Sequence, residues 1–357
     1  MVDSASVKLA GYPLCLGIPL LAPLGVWLGM PWLSLLVVFV LLPIVGLLVG
    51  EDGSLPVVGL RRSRVLVIYL DFLPRIYALT WMATLLWAAT LVARAELSAA
   101  GIAAVTLSVG IASAVAIPTA HELLHRRSKF DALLARSMTA LCLYGHMVVE
   151  HFHHHATVGD VATGETALRG ISVYRFALGD FLQGLRNARA VERARLRRTG
   201  LTWWHNQVLQ DFALAFVLAF LFFVTFGSAG FALFIGQAVF AVFVFEVITY
   251  VHHYGLARGA GEEPGPQLAW AHHCWITNCL TFNNTFHSDH HLRPRIPYYE
   301  LHAMYGAPRL PAGYFTMFWI ALASPLWWML MDRRLDDLAE ARARGESAEQ
   351  LEAQHCR

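Results

Sequence analysis

Six apolar runs, at residues 12–29, 31–50, 74–93, 99–120, 207–227 and 229–250, carry at most one charged side chain each. Each is about long enough to cross a hydrocarbon layer of roughly 30 Å as a helix. Within lipid a lone chain satisfies its backbone polar groups by helix formation, which leaves an all-α, polytopic membrane bundle of about six transmembrane helices. The composition agrees: 57% of residues are hydrophobic, 15% are charged, and the mean hydropathy is +0.50, well beyond the soluble average. Neither a repeat nor a second domain is evident, so residues 1–357 read as one membrane unit.

The connectors give an orientation. Residues 12–29 and 31–50 meet at Met30-Pro31 as a tight hairpin, and the following segment carries Arg61, Arg62 and Arg64. The positive-inside rule places that segment, and with it the N-terminus, in the cytoplasm. The first run is Pro-rich and leads straight into the second, unlike a cleavable signal peptide. Arg94-Ala95-Glu96 forms an outer turn, and residues 99–120 bring the chain back to the inner side. The arginines at 186, 189, 193, 195, 197 and 198 place residues 121–205 there too. They suit an acidic partner and the positive-inside rule equally. The apolar piece 132–149 reads as a buried or half-embedded helix, because a crossing there would separate histidines that need to share a site. The run 313–331 reads as an inner-face or re-entrant helix, and 332–357 as a charged, solvated cytoplasmic tail.

Those histidines fall in three clusters. His121-Glu122-Leu123-Leu124-His125, His151-Phe152-His153-His154-His155 and His287-Ser288-Asp289-His290-His291 each stack imidazoles on one turn of backbone. Residues three and four apart share a helix face, so His121 with His125, His151 with His154 and His155, and His287 with His290 and His291 can converge. His252 and His253 end the run 229–250 on the same side. Together they supply nitrogens for two metal ions. Imidazole ligation alone leaves zinc, copper, iron and nickel open. His153 points off the shared face, as a solvated or supporting residue. Asp289, Glu122, Glu150 and Glu246 are available to orient ligand imidazoles by accepting their second N–H. His146, His205, His302 and His355 read as ordinary histidines, with His272 and His273 undecided.

Two other chemistries fit parts of this pattern. His121-Glu122-x-x-His125 is the zincin pattern, with two zinc ligands and a glutamate base; a zinc protease needs one further ligand and leaves the remaining histidines idle. A metal transporter needs ligands at mid-membrane, whereas these lie at the ends of the spans. The five cysteines form no CxxC pair, so no rubredoxin-like iron site or zinc ribbon is built in, and an electron carrier has to be a separate protein. Nothing in the chain points to a nucleic-acid partner.

The sequence resembles the membrane-bound alkane monooxygenases and their xylene monooxygenase relatives, within the histidine-rich di-iron hydroxylases and desaturases. The resemblance rests on His121-Glu122-Leu123-x-His125-Arg126, on Tyr144-Gly145-His146 leading to Glu150-His151 and His154-His155, and on Val161-Ala162-Thr163 and Gly170-x-Ser172-x-Tyr174-Arg175-Phe176. It continues in His253-Tyr254-Gly255-Leu256, His287-Ser288-Asp289-His290-His291 and Leu310-Pro311-x-Gly313-Tyr314, with Gly50-Glu51-Asp52 as a further counterpart. It covers residues 40 to 335. It implies two iron ions held by His121, His125, His151, His154, His155, His253, His287, His290 and His291 at the cytoplasmic end of six helices. It also implies O2-dependent hydroxylation of an unactivated C–H bond in an apolar substrate. A rubredoxin, or a ferredoxin with its reductase, then supplies the electrons, and a bacterial inner membrane is the setting. Three positions depart from the alkane enzymes. Only two residues separate His151 from His154, which leaves His153 as an alternative ligand. His252 stands where those enzymes carry a glutamate and Thr249 where they carry an asparagine, and Gly46 replaces an aspartate. These changes keep desaturation and heteroatom oxidation open as alternatives.

Overall fold

The protein is described here from a computed structural model that covers residues 4–51, 63–94, 97–162, 165–259 and 261–345. Arg61 and Arg62, the turn residues Ala95 and Glu96, Asp52, Thr163 and the tail beyond residue 345, with His355, lie outside the described residues. Fourteen α-helices run through the rest, with no strand and only two isolated β-bridges, Glu51 to Cys274 and Ala271 to Arg309.

Helices α1 (Ser4–Gly11) and α2 (Gly17–Trp27) are joined by a 3-10 turn, and α3 (Leu33–Leu36) passes through a π turn at Val37–Leu41 into α4 (Leu42–Val49). Helices α5 (Arg64–Arg94) and α6 (Ala99–Leu124) follow, then α7 (Lys129–Leu141), α8 (Met147–Thr157), α9 (Val173–Thr199) and α10 (Gln207–His253). The chain ends in α11 (Trp275–Leu280), α12 (His287–Leu292), α13 (Tyr314–Leu322) and α14 (Ser324–Ala343). Short polar residues set several starting points. Ser98, Ser128, Ser172 and Asn206 cap α6, α7, α9 and α10 by accepting a hydrogen bond from the backbone N–H three residues on, which satisfies a donor the helix cannot use itself.

The molecule is a helical membrane bundle, but the expected six spans are not what the helices provide. Four are long and apolar enough to cross, Lys8–Trp27, α5, α6 and α10, or five if the pair α13 and α14, bent by 119°, counts as one broken span. The expected second run is the shorter apolar helix Leu33–Val49. The expected fifth and sixth runs are the two arms of α10, whose 47 residues would extend about 70 Å if straight. It is not straight. Gly227 has φ 67° and ψ −165°, in a region closed to most side chains. The rings of Phe222 and Phe234 lie 4.9 Å apart across that break, so the chain reverses there. Both ends of α10 therefore reach the same side of the bundle.

That reversal positions the site. Tyr144 donates to Glu246 near the end of α10 at 2.7 Å, while Arg136 bonds Asp211 near its start at 2.7 Å. The expected helix over 132–149 is in fact α7 and α8, separated by a turn in which Leu143 takes φ 54°, and the turn keeps the first two histidine clusters together. The centre of the bundle is α6 against α5 and α10. Tyr77 donates to the carbonyl of Ala112 at 2.7 Å, and the Trp81 indole to Ser113 at 2.9 Å. A Cβ on Gly110 would lie 2.7 Å from the Phe240 ring, so a glycine is what lets α6 and α10 approach so closely. Of the expected tail, residues 332–345 continue a helix that is tied to the bundle. Helix α14 runs on through Asp332, which accepts from Tyr254 at 2.6 Å, and Asp336 takes Arg169 at 2.5 and 2.9 Å.

Arg75 fastens α5 to α7 by a two-pronged pair to Asp131 at 2.6 and 2.8 Å, and the Asp131 side chain is 1% exposed. Asp131→Ala leaves the guanidinium facing a closed site, and with Arg75 22% exposed the expected cost is about 2 kcal/mol. Thermal unfolding in detergent checks this; a loss within about 0.5 kcal/mol of zero would show that the pair does not hold the two helices.

Candidate metal centre

All nine histidines that the resemblance implies as ligands meet, in two groups. His121, His125, His151, His155 and His290 form one, and His154, His253, His287 and His291 the other; within each group the facing nitrogens lie within 4.8 Å of one another. His121 and His125 come from the end of α6, three residues from α8, three from α12, and His253 from the last turn of α10.

The split corrects the expected pairing. On α8, His151 joins His155, four residues on, while His154 turns to the second group. On α12, His287 and His291 share the second group, and His290 crosses to the first. A step of four returns nearly to the same helix face and a step of three falls short of it, so each of these two helices serves both groups. His153 belongs to neither and is half-exposed, whereas His154 is buried.

The Nε2 atoms face each other. His121 lies 2.8 Å from His290, His125 2.8 Å from His151, His151 2.9 Å from His155, and His290 3.1 Å from His155. In the second group His154 lies 3.0 Å from His291 and His287 3.2 Å from His253. Nitrogens held about 2.1 Å from one ion stand roughly 3.0–3.4 Å apart, and these spacings match or fall slightly short. One tautomer is fixed: His253 Nδ1 donates to the Leu268 carbonyl at 2.9 Å, so its Nε2 presents a lone pair to the group, as a metal ligand must. The donor set fits two metal ions.

Burial holds the imidazoles neutral. His125 and His155 are pushed down to about 3 and His154 to about 4, chiefly by desolvation and then by neighbouring imidazoles. His151, His287, His290 and His291 are held well below the ordinary value for the same reasons.

The surrounding carboxylates depart from expectation in part. Asp289 meets none of the nine clustered imidazoles: it takes Arg293 through both oxygens at 2.6 Å and the His302 backbone N–H at 2.9 Å, and its Oδ2 lies 2.8 Å from the His302 Nδ1. It thereby ties α12 to the segment that follows, and gives His302 a structural role. Glu122 accepts from Arg126 at 3.1 Å, and Glu246 from Tyr144. Glu150 is hydrogen-bonded to Glu165, a residue that carries no sequence spacing to mark it. Glu165 Oε2 lies 4.0 Å from His154 Nδ1. Burial, then the neighbouring carboxylates, pushes Glu150 and Asp180 well above the usual carboxylate range. His252, 3% exposed, stacks on His287 at 4.2 Å and belongs to neither group.

A slender cavity of about 90 Å³ runs up to the centre between Phe39, Ile111, Pro118, Ile248 and Phe318. Its polar end carries His252, Thr277, Thr281, Asn284 and Thr285. His252 and Asn284 also line a small void bounded by His121, His151, His154, Glu165 and His287. An apolar molecule in the cavity would therefore meet polar groups only where it reaches the histidines.

An integral-membrane helical bundle that closes two polyhistidine groups over an apolar cavity defines a recognisable class. The chain belongs to the fatty acid desaturase family, whose sequence model matches residues 96–321. Among curated proteins it is similar to alkane 1-monooxygenase 1 of Pseudomonas aeruginosa, 35% identical over 238 residues, which is 64% of this chain and 62% of the relative. It is similar to the alkane 1-monooxygenase of Acinetobacter baylyi, 30% identical over 248 residues, covering 66% and 61% of the two chains. The hydroxylase component of a xylene/toluene monooxygenase from Pseudomonas putida is 29% identical over 218 residues, covering 60% and 59%. The chain thus spans about three fifths of the length of these relatives.

Because the imidazoles outside the spans are already neutral, metal binding need displace few protons from them near neutrality. The apparent affinity of the metal-stripped protein for Fe(II) or Zn(II) is expected to stay flat from pH 8 to about pH 5. It should fall only as the pH nears the value of about 4 of His154. Calorimetric titration checks this; a steady loss between pH 7 and 6 would mean that the imidazoles titrate as solvated ones do.

Proposed function

We propose that this protein is a membrane monooxygenase that hydroxylates an unactivated C–H bond, at an alkane terminus or an alkyl or aryl methyl group, with two iron ions as cofactor. One iron is assigned to His121, His125, His151, His155 and His290, the other to His154, His253, His287 and His291. Iron supplies the O2 and electron chemistry when bound; the chain's residues do the rest. Phe39, Ile111, Pro118, Ile248 and Phe318 exclude water and align the apolar chain, so that its end projects past His252 and Asn284 toward the two groups. The observation that carries this reading is that adjacency: an apolar cavity and a void among the histidines share the same lining residues.

The orientation follows from the positive-inside rule: N-terminus and metal site in the cytoplasm, in a bacterial inner membrane. Electrons come from a separate rubredoxin, or from a ferredoxin and its reductase. Similarity to alkane and xylene/toluene monooxygenases supports the apolar substrate and O2. Desaturation is the second reading, favoured by the family description and by His252 beside the cavity. A zinc protease is disfavoured, because its base Glu122 is taken up by Arg126.

Two tests follow. Purified protein supplied with O2, reductant and a carrier is expected to convert octane or toluene to the corresponding alcohol; olefin in place of alcohol would move the assignment to desaturation. His154→Ala is expected to remove about one iron per chain and abolish turnover, whereas His153→Ala should keep both. Equal iron loss in the two variants would overturn the assignment of His154. In a separate series, Ala114→Phe places a ring in the cavity wall and should depress turnover of dodecane about tenfold more than that of hexane, through lost room for the longer chain. A uniform loss would place the substrate elsewhere.

A further inference from the structure

The face where α9 turns into α10 carries a groove of about 570 Å³ that the metal centre does not use. Arg189, Arg193 and Arg197 stand on its rim, and Leu185, Leu196, Leu201, Val208, Leu209 and Phe212 form its floor. The three arginines are four residues apart, so they line one face of α9. All three are exposed, and none has an ion pair or hydrogen bond among the described residues. The neighbouring Arg195, by contrast, is held by Glu192 at 2.6 and 2.8 Å.

The corner beneath them is fixed. Glu192 also accepts from the backbone N–H of Gln207, the first residue of α10, at 2.7 Å, and Arg195 donates to the carbonyl of His205 at 2.5 Å. Between the two helices Trp203 and Trp204 stack at 3.5 Å and are 57% and 68% exposed, as tryptophans are at a membrane–water boundary. Below the groove, Leu209, Phe212, Phe216 and Phe220 form one exposed stripe down the first arm of α10. That stripe belongs to a helix apolar enough to cross the membrane, so it faces lipid tails.

We propose that this groove binds an anionic phospholipid, with the phosphate among Arg189, Arg193 and Arg197 and an acyl chain laid along Leu209, Phe212, Phe216 and Phe220. The positive charge is unneutralised, the floor is apolar, and the apolar floor runs on without a break into the lipid-facing stripe. An acidic carrier protein would match the arginines but not the floor and stripe below them. The inference is independent of the oxygenase reading and stands or falls separately from it.

The test is lipid retention by the full-length protein, delipidated in neutral detergent and then supplied with phosphatidylglycerol or phosphatidylcholine of identical chains. Native mass spectrometry counts the bound lipid. Phosphatidylglycerol is expected to be retained on the order of tenfold or more over phosphatidylcholine, and R189Q/R193Q/R197Q should erase that preference. Should the triple variant fail to fold, R193Q alone and a salt titration of the wild type take its place, and both are expected to weaken retention of the anionic lipid. Equal retention of the two lipids, or a preference unchanged in the variants, would overturn the proposal. So would displacement of the lipid by millimolar inorganic phosphate, which would make this a site for the free anion. Intact lipid preference with lost carrier-dependent turnover in the variant would assign the arginines to a protein partner instead.

Discussion

Nine imidazoles with their Nε2 atoms turned on one another, inside a membrane protein, are the constraint on which the rest of the architecture depends. Such an arrangement is unfavourable by itself: neutral imidazoles have one donor and one acceptor nitrogen each, and a ring of facing Nε2 atoms leaves lone pairs opposed. A cation in each group resolves this. The ends of α6, α8, α10 and α12 must therefore meet on one side of the bundle, and the reversal at Gly227 and the turn through Leu143 are what allow it.

The supporting polar groups mostly fix helices rather than ligands. Asp289 ties α12 to His302 and Arg293, Glu122 ties the end of α6 to Arg126, and Tyr144 holds Glu246 on α10. The Leu268 carbonyl on His253 is the direct exception. With the helices immobilised by charge pairs and tight packing, the imidazoles need few hydrogen bonds of their own, and the Nδ1 atoms of His154 and His287 have none among the described residues.

Much of this was legible in the sequence, for physical reasons. Histidine spacing of three and four survives in helices whatever their tertiary setting, so the clusters at His121, His151 and His287 announced themselves. Apolar runs announced the bundle. Which histidine joins which group was not legible, because it depends on how α8 and α12 rotate against each other: His154 and His290 cross over where proximity in sequence suggested they would stay. The span count differs at the run 31–50, which forms only the shorter helix Leu33–Val49, because hydropathy does not report the π turn that interrupts it; the two runs around Gly227 are the two arms of α10. Glu165 escaped because it sits in a loop with no periodicity, and only the fold brings it to His154. The partners of Asp289 are not legible from spacing alone, since Arg293, four residues on along the same face, and His302 both reach it.

Anomalous scattering or a comparable element-resolved map of the purified, iron-grown protein tests the central claim most directly. Two iron peaks are expected, one enclosed by His121, His125, His151, His155 and His290 and the other by His154, His253, His287 and His291. A single zinc peak between His121 and His125, with the second group empty, would contradict it.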